Sequence, residues 1–226
     1  MPAILTQLAT PLGQAYVTRA MAEFGEEAVA GMAIVGRLTP VAFAVIFALS
    51  GAVGPIIGQN AGAKKTDRVT ATFREALLFT LGVTVLVSLI LFLLRGQLAW
   101  LFQLEEGGVA RSLVFLFAGP LSLLWFFNGV LFVANAAFNN LSHPFYSTLT
   151  NWGRHTLGTI PPVMLGAALF GAPGVLLGQA FGGVVFAVIA YVMARRVMAV
   201  TSDTAPEPRE PFARQTRLFQ MFHHRR

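Results

Sequence analysis

An apolar run at residues 76–94 constrains the fold of this chain more than any other feature. Its 19 residues carry no charge and lack the alternation of apolar and polar positions that marks a half-buried strand. A transmembrane helix needs about 20 mostly apolar residues. Only 12% of the 226 residues are charged, against about 25% in soluble domains. The run and the composition together predict an all-α integral membrane protein.

Six segments qualify as membrane-spanning helices. They are predicted at residues 2–22, 38–59, 76–94, 112–138, 148–170 and 173–194. The first is the most polar, and the third is the most apolar. We therefore predict a six-helix transmembrane lobe over residues 1–198. Residues 199–226 are predicted to form a basic cytoplasmic tail without ordered structure, because the segment is rich in proline and charge.

The basic residues predict the orientation of these helices. Twelve of the 16 Lys and Arg residues fall on the side that carries both termini. Cytoplasmic loops are enriched in Lys and Arg, so a multi-pass protein of the plasma (inner) membrane with both termini in the cytoplasm is expected. The net charge of +6 is thus assigned to orientation beside the lipid bilayer, and no nucleic-acid partner is expected.

A stripe of small residues closes the second predicted helix. Glycines four residues apart let helix backbones approach closely in a membrane. The amides and lysines that follow indicate that the helix ends there, packed against another helix. The motif comprises Gly54, Pro55, Gly58, Gln59, Asn60 and Gly62. A second stripe, Gly174, Gly178 and Gly182, lies in the sixth helix.

Polar residues inside the predicted helices are the candidates for a substrate pathway, because lipid offers them no partner. They are Gln14 and Tyr16 in the first helix, and Asn128 and Asn135 in the fourth. A hydrated cavity wall and a seam of interhelical hydrogen bonds explain them equally well. Arg154 is expected to reach toward the membrane surface.

Sequence signatures of soluble enzymes do not occur. There is no phosphate-binding glycine loop ending in Lys-Ser/Thr, no G-x-S-x-G and no H-E-x-x-H. The sequence has no cysteine, and its histidines do not cluster with carboxylates. We expect no catalytic residue, no metal and no cofactor.

Several motifs in order resemble one known family. They are GEEAVAG at residues 25–31, GRL at 36–38, PIIGQNAGA at 55–63, FNN at 138–140 and NWGR at 151–154. Together they resemble the multidrug and toxic compound extrusion (MATE) family of efflux transporters, and they match the second of its two six-helix lobes. The resemblance covers about residues 2–198.

The resemblance implies the second half of an antiporter that exchanges small cationic or amphipathic substrates for Na⁺ or H⁺. Some family members carry carboxylates in the first and fourth helices of this lobe. Gln14 and Asn128 lie in the matching regions here, so no acid is present. Alternating access needs two bodies around a shared site. A second transporter lobe, a homodimer, or a truncated form is therefore expected.

Two alternatives remain open. One is a lobe of a flippase for lipid-linked sugars, a related type of protein whose cleft is usually lined by cationic residues. The other is a non-transporting membrane scaffold or inactive fragment whose basic tail recruits partners.

Overall fold

The structure is a computed structural model that describes residues 2–203, with side chains described for residues 8–200. This part of the chain is helical and contains no strand. Its helices are α1 Pro2–Ala22, α2 Glu26–Ala42, α3 Ala44–Gly62, α4 Thr66–Leu101, α5 Val109–Leu116, α6 Ser122–Asn140, α7 Pro144–His155 and α8 Ile160–Asp203. A π-helical turn, Phe117–Leu121, joins α5 to α6. Helix α6 packs against α3, α4, α7 and α8.

These helices form the six predicted spans. Four stretches of the described residues are long and apolar enough to cross a membrane: Ala44–Gly62, Thr66–Leu101, Val109–Asn140 and Pro144–Val200. The last stretch reverses direction at Gly171, whose φ of 64° and ψ of −144° are not helical. This stretch therefore supplies two spans. The first consists of α7 and the part of α8 before Gly171, and the second consists of the part of α8 after Gly171. Helix α1, with its many polar residues, completes the six.

The two arms of α8 and the turn before it form an antiparallel pair in backbone contact. A Cβ atom built on Gly174 would lie 1.9 Å from the carbonyl oxygen of Gly166, and one on Gly182 would lie 1.3 Å from that of Gly158. Gly178 meets the carbonyl of Pro162 in the same way, at 2.2 Å. The second glycine stripe is therefore a packing seam, as small residues at helix contacts in membranes generally are.

The first glycine stripe packs over only part of its length. A Cβ atom on Gly54 or Gly58 would meet the side chain of Asn140, at 2.6 and 3.2 Å, whereas one on Gly62 would meet nothing within 4 Å. The expectation of contact at Gly62 was wrong because α6 ends at Asn140 and leaves no helix opposite it. Helix α3 ends at Gly62, three residues beyond the predicted end at residue 59, and it continues unbroken through Pro55.

The second span begins earlier than predicted. Its first part, α2, starts at Glu26, so Arg37 lies inside a helix and not in a loop. Acidic residues stabilise a helix N-terminus, and the Glu27 carboxylate also accepts a hydrogen bond of 3.1 Å from the backbone N–H of Ala110. Glu26 and Glu27 therefore mark the start of the helix, and Glu27 ties it to α5.

Three hydroxyl side chains of helix α4 face the protein interior, while several of its leucines face outward. Thr80, Thr84 and Ser88 lie four residues apart and are buried, while Leu86 and Leu93 are 58% and 65% exposed. Gly129 of α6 lies against Thr80. This arrangement suits a lipid bilayer, in which an apolar helix face does not need to be covered by protein.

The boundary between lobe and tail differs slightly from the predicted one. Helix α8 continues to Asp203, five residues beyond residue 198. The rest of the predicted basic tail, residues 204–226, lies outside the described residues.

Candidate functional site

A cavity of about 410 Å³ lies between α1, α2, α6, α7 and α8. It lies about halfway along the predicted spans. Asn128 lies 12 residues before the end of α6, and Arg154 lies ten residues after the start of α7, which correspond to about 18 and 15 Å of helix in a hydrocarbon core about 30 Å thick. The polar lining residues are Thr10, Gln14, Thr39, Asn128, Asn151, Arg154, His155 and Gln179.

Interruptions in three spans lie beside this cavity. Phe43 separates α2 from α3, three residues after Pro40, which lines the cavity. The π-helical turn that contains Gly119 and Pro120 separates α5 from α6. Residues 156–159 separate α7 from α8. Discontinuous helices at membrane depth are tolerated where they line a cavity, and transporters commonly build binding sites from them.

The guanidinium of Arg154 points into the cavity. One of its terminal nitrogens donates a hydrogen bond to Oδ1 of Asn128, which joins α7 to α6. The expectation that Arg154 reaches the membrane surface was therefore wrong. A Cβ atom built on Gly153, the preceding residue, would lie 2.2 Å from the ring of Phe186 on α8, so this glycine allows α7 to approach α8 closely.

His155 closes the same end of the cavity against α1. Its Nε2 lies 3.2 Å from Oγ1 of Thr10 in a hydrogen bond. A Cβ atom on Gly13 would lie 2.6 Å from Nδ1 of His155, so this glycine is required for the close approach of α1 to α7. The histidine is buried and is used in helix packing.

Aromatic side chains form one wall of the cavity. The rings of Phe43 and Trp125 stack with their centroids 4.6 Å apart and an interplanar angle of 8°. Phe47 meets Trp125 edge-on at 5.8 Å and Phe132 at 5.2 Å. Phe47, Trp125 and Phe132 all face the cavity. An apolar aromatic wall with a few polar groups is typical of sites for small organic molecules.

The structure brings two of the four predicted pathway residues together. Gln14 and Asn128 line the cavity. Tyr16 instead is half-buried and packs against the apolar cluster around Val17. Asn135 is buried, and its Oδ1 accepts a hydrogen bond of 2.9 Å from the hydroxyl of Thr150. Asn135 therefore takes part in interhelical packing, the second of the two interpretations.

Other lining residues were not predicted. Gln179 is a single amide within the apolar sequence of α8, and that isolation was a signal that could have identified it. Asn151 lines the cavity while its Nδ2 donates to the carbonyl of Ser147 at 2.9 Å. Thr10 gives little sequence signal, because threonine is common in membrane helices.

A larger depression, of about 520 Å³, lies between the end of α4 and the start of α5. Its charged residues, Arg111 and Glu106, already form an ion pair of 3.1 Å. It lies beside the loop between two spans, away from the discontinuous helices. The smaller cavity is therefore the better candidate for a functional site.

The cavity contains a cation but no described acid. None of its lining residues is Asp or Glu. Among the described residues, no group of three or more His, Cys, Asp or Glu side chains could hold a metal ion. The chemistry available is thus hydrogen bonding by amides, aromatic contact and the charge of one guanidinium.

A six-helix lobe with a polar cavity bordered by discontinuous helices is an arrangement that membrane transporters commonly use. The chain belongs to the MATE family, whose model, MatE, matches residues 2–160. The resemblance found in the sequence motifs is thereby confirmed.

Individual relatives agree with this assignment. An uncharacterized 21 kDa protein of Pseudomonas savastanoi is 40% identical over 95% of this chain and 69% of its own length. An FAD transporter of Shewanella oneidensis is 28% identical over 90% of this chain. A crystal structure of a mutant of the Vibrio cholerae MATE transporter VcmN superposes with a TM-score of 0.81 at 26% identity over 88% of this chain. The chain spans 45% of the length of each of these two transporters.

Proposed function

We propose that this chain is the second lobe of a MATE-type transporter and moves a small organic solute across the plasma (inner) membrane together with another lobe. The observation that carries the proposal is the mid-membrane cavity, whose polar and aromatic walls come from discontinuous helices. Alternating access requires a second body that rocks against this one around the shared site. That body is a first lobe on another polypeptide or a second copy of this chain.

Ion coupling is assigned to the partner lobe. Na⁺ prefers oxygen ligands and H⁺ needs a titratable group, and no carboxylate is among the described residues that line this cavity. Antiport against Na⁺ or H⁺ would then depend on groups that the partner supplies. The basic residues at the ends of the spans, such as Lys65 and Arg196, favour a cytoplasmic location for both termini.

Amphipathic solutes fit the cavity best. The aromatic wall of Phe47, Trp125 and Phe132 offers ring contacts, and the opposite amides offer hydrogen bonds. The family resemblance suggests small cationic or amphipathic compounds, and the name of the Shewanella relative adds FAD as a candidate. A flippase for lipid-linked sugars is a second candidate, favoured by the cation Arg154 in the cavity.

Transport tests the proposal in an efflux-deficient bacterial host. The chain is expressed alone, and also together with the part of VcmN that it does not cover, as a source of a first lobe. Cellular accumulation of ethidium and export of FAD are measured. We expect lower accumulation or higher export with both parts present, or with the chain alone if two copies pair.

Matched controls for this experiment are the VcmN part alone and the same pair carrying Gly182→Ala, which should not fold. The transport proposal is overturned if the folded chain reaches the membrane and neither ethidium accumulation nor FAD export changes, with the chain alone or with the VcmN part.

A further inference from the structure

The charge of Arg154 is not neutralised by any acid in the described part of the chain. The ion pairs found there are Arg74 with Glu75 and Arg111 with Glu106, both away from the cavity. A charge near the centre of a bilayer is costly and is kept where it serves a pathway or a partner. Arg154 therefore needs an anion that the lobe itself does not supply.

The guanidinium of Arg154 also has more N–H donors than its described side-chain hydrogen bond uses. It carries five N–H groups in a planar fork, and the described hydrogen bond of its side chain goes to Asn128. The amide of Asn128 accepts that bond with its oxygen and so holds the fork toward the cavity. Gln14 and Gln179, on two other helices, line the same space with further amide donors.

We propose that this cavity binds the anionic group, a phosphate or carboxylate, of a small aromatic solute. Arg154 binds the anion, Asn128 positions Arg154, and the wall at Trp125 holds the ring. The inference rests on the proposed transport function and names the substrate class of that same cavity. It replaces a cationic substrate, which Arg154 would repel, by an anionic one.

The geometry favours this class on three counts. Planar guanidinium groups bind phosphate and carboxylate through paired hydrogen bonds, which are stronger than neutral ones. Trp125, which stacks on the buried ring of Phe43, gives an apolar surface at one side of the cavity. A volume of about 410 Å³ suits a molecule of two or three rings with one charged group.

Binding is tested on the full chain in phosphatidylcholine nanodiscs. The probes are 1-naphthyl phosphate and 1-naphthylmethylammonium, two ring systems of the same kind with opposite charge. Equilibrium dialysis gives the dissociation constants. We expect the phosphate probe to bind at least about tenfold more tightly, and Arg154→Gln to weaken it by about 10- to 100-fold, the range for a hydrogen bond to a charged group.

The matched control is Arg195→Gln, because Arg195 is exposed and its side chain bonds to the hydroxyl of Tyr191 at 3.1 Å. It should leave both dissociation constants unchanged. Circular dichroism and thermal midpoints verify that each variant is folded. Should Arg154→Gln fail to fold, the preference of the unchanged protein between the two probes decides the question. Equal binding of both probes, or tighter binding of the ammonium, overturns the proposal.

Phosphatidylglycerol in the nanodisc distinguishes a soluble anion from a lipid headgroup. If it displaces naphthyl phosphate from the unchanged protein, the site belongs to lipid phosphates and the soluble solute is overturned. If it does not, the soluble anion is supported. These assays measure binding and not transport. Their result therefore does not depend on the outcome of the transport experiment.

Discussion

Replacing Gly182 by alanine is expected to remove most of the folded protein. The added methyl group would lie 1.3 Å from the carbonyl oxygen of Gly158, which belongs to the backbone and cannot rotate away. The two arms of the hairpin would have to separate along their whole seam. Overpacking costs about 1–3 kcal/mol where side chains can yield, and we expect at least about 3 kcal/mol here. About 1.4 kcal/mol changes a folding equilibrium tenfold.

The control for this substitution is Gly82→Ala in α4. Gly82 has nothing within 4 Å of a Cβ position, and alanine is favoured over glycine in a helix by about 1 kcal/mol. The control should therefore be neutral or slightly stabilising. Size-exclusion profiles and thermal midpoints in detergent measure both variants. A Gly182→Ala protein that melts at the same temperature as the unchanged chain contradicts the close hairpin.

Reversing the charge of the cavity is expected to reverse its preference between solutes. Asn128→Asp places a carboxylate where the amide now accepts from Arg154, so the pair becomes neutral and the phosphate probe loses its cation. Combining Asn128→Asp with Arg154→Gln leaves one negative charge. We expect the single variant to bind naphthyl phosphate about 10- to 100-fold less tightly, and the double variant to prefer naphthylmethylammonium.

Asn139→Asp is the matched control, because it makes the same change on the same helix at an exposed position. This substitution should change the dissociation constant of either probe only slightly, because exposed charges are screened by solvent and salt. A double variant that still prefers the phosphate probe would show that Arg154 does not set the selectivity.

The architecture was largely predictable because each span carries its own signal. Apolar runs, glycine spacing and basic loops are local properties, and they identified the six spans and placed the end of α3 within three residues of Gly62. The start of the second span was missed because Glu26 and Glu27 are typical both of a loop and of a helix N-terminus. Only the contact between Glu27 and α5 distinguishes the two.

The cavity was predictable only in part because its composition depends on contacts between distant segments. Asn128 and Asn135 are seven residues apart and share a helix face, so periodicity treats them alike. The hydroxyl of Thr150 on α7 donates a hydrogen bond to Asn135 in the protein interior. Arg154, on the same helix, donates to Asn128 at the cavity. The hydrogen bond of Arg154 to Asn128 joins residues 26 positions apart in the sequence, and no local pattern indicates it.

We expect the region of Asn128 and Arg154 to be a hydrated solute site, whereas Asn135 is buried and bonded to Thr150. Thiol labelling tests it directly, because the chain contains no cysteine and single replacements are free of background. Asn128→Cys and Asn135→Cys are each treated with a small hydrophilic thiol reagent in nanodiscs, and again after unfolding in detergent.

We predict that the cysteine at position 128 reacts in the folded protein and is protected by naphthyl phosphate, whereas the cysteine at position 135 reacts only after unfolding. Equal reaction rates at the two positions in the folded protein, or no protection at position 128, would contradict the account.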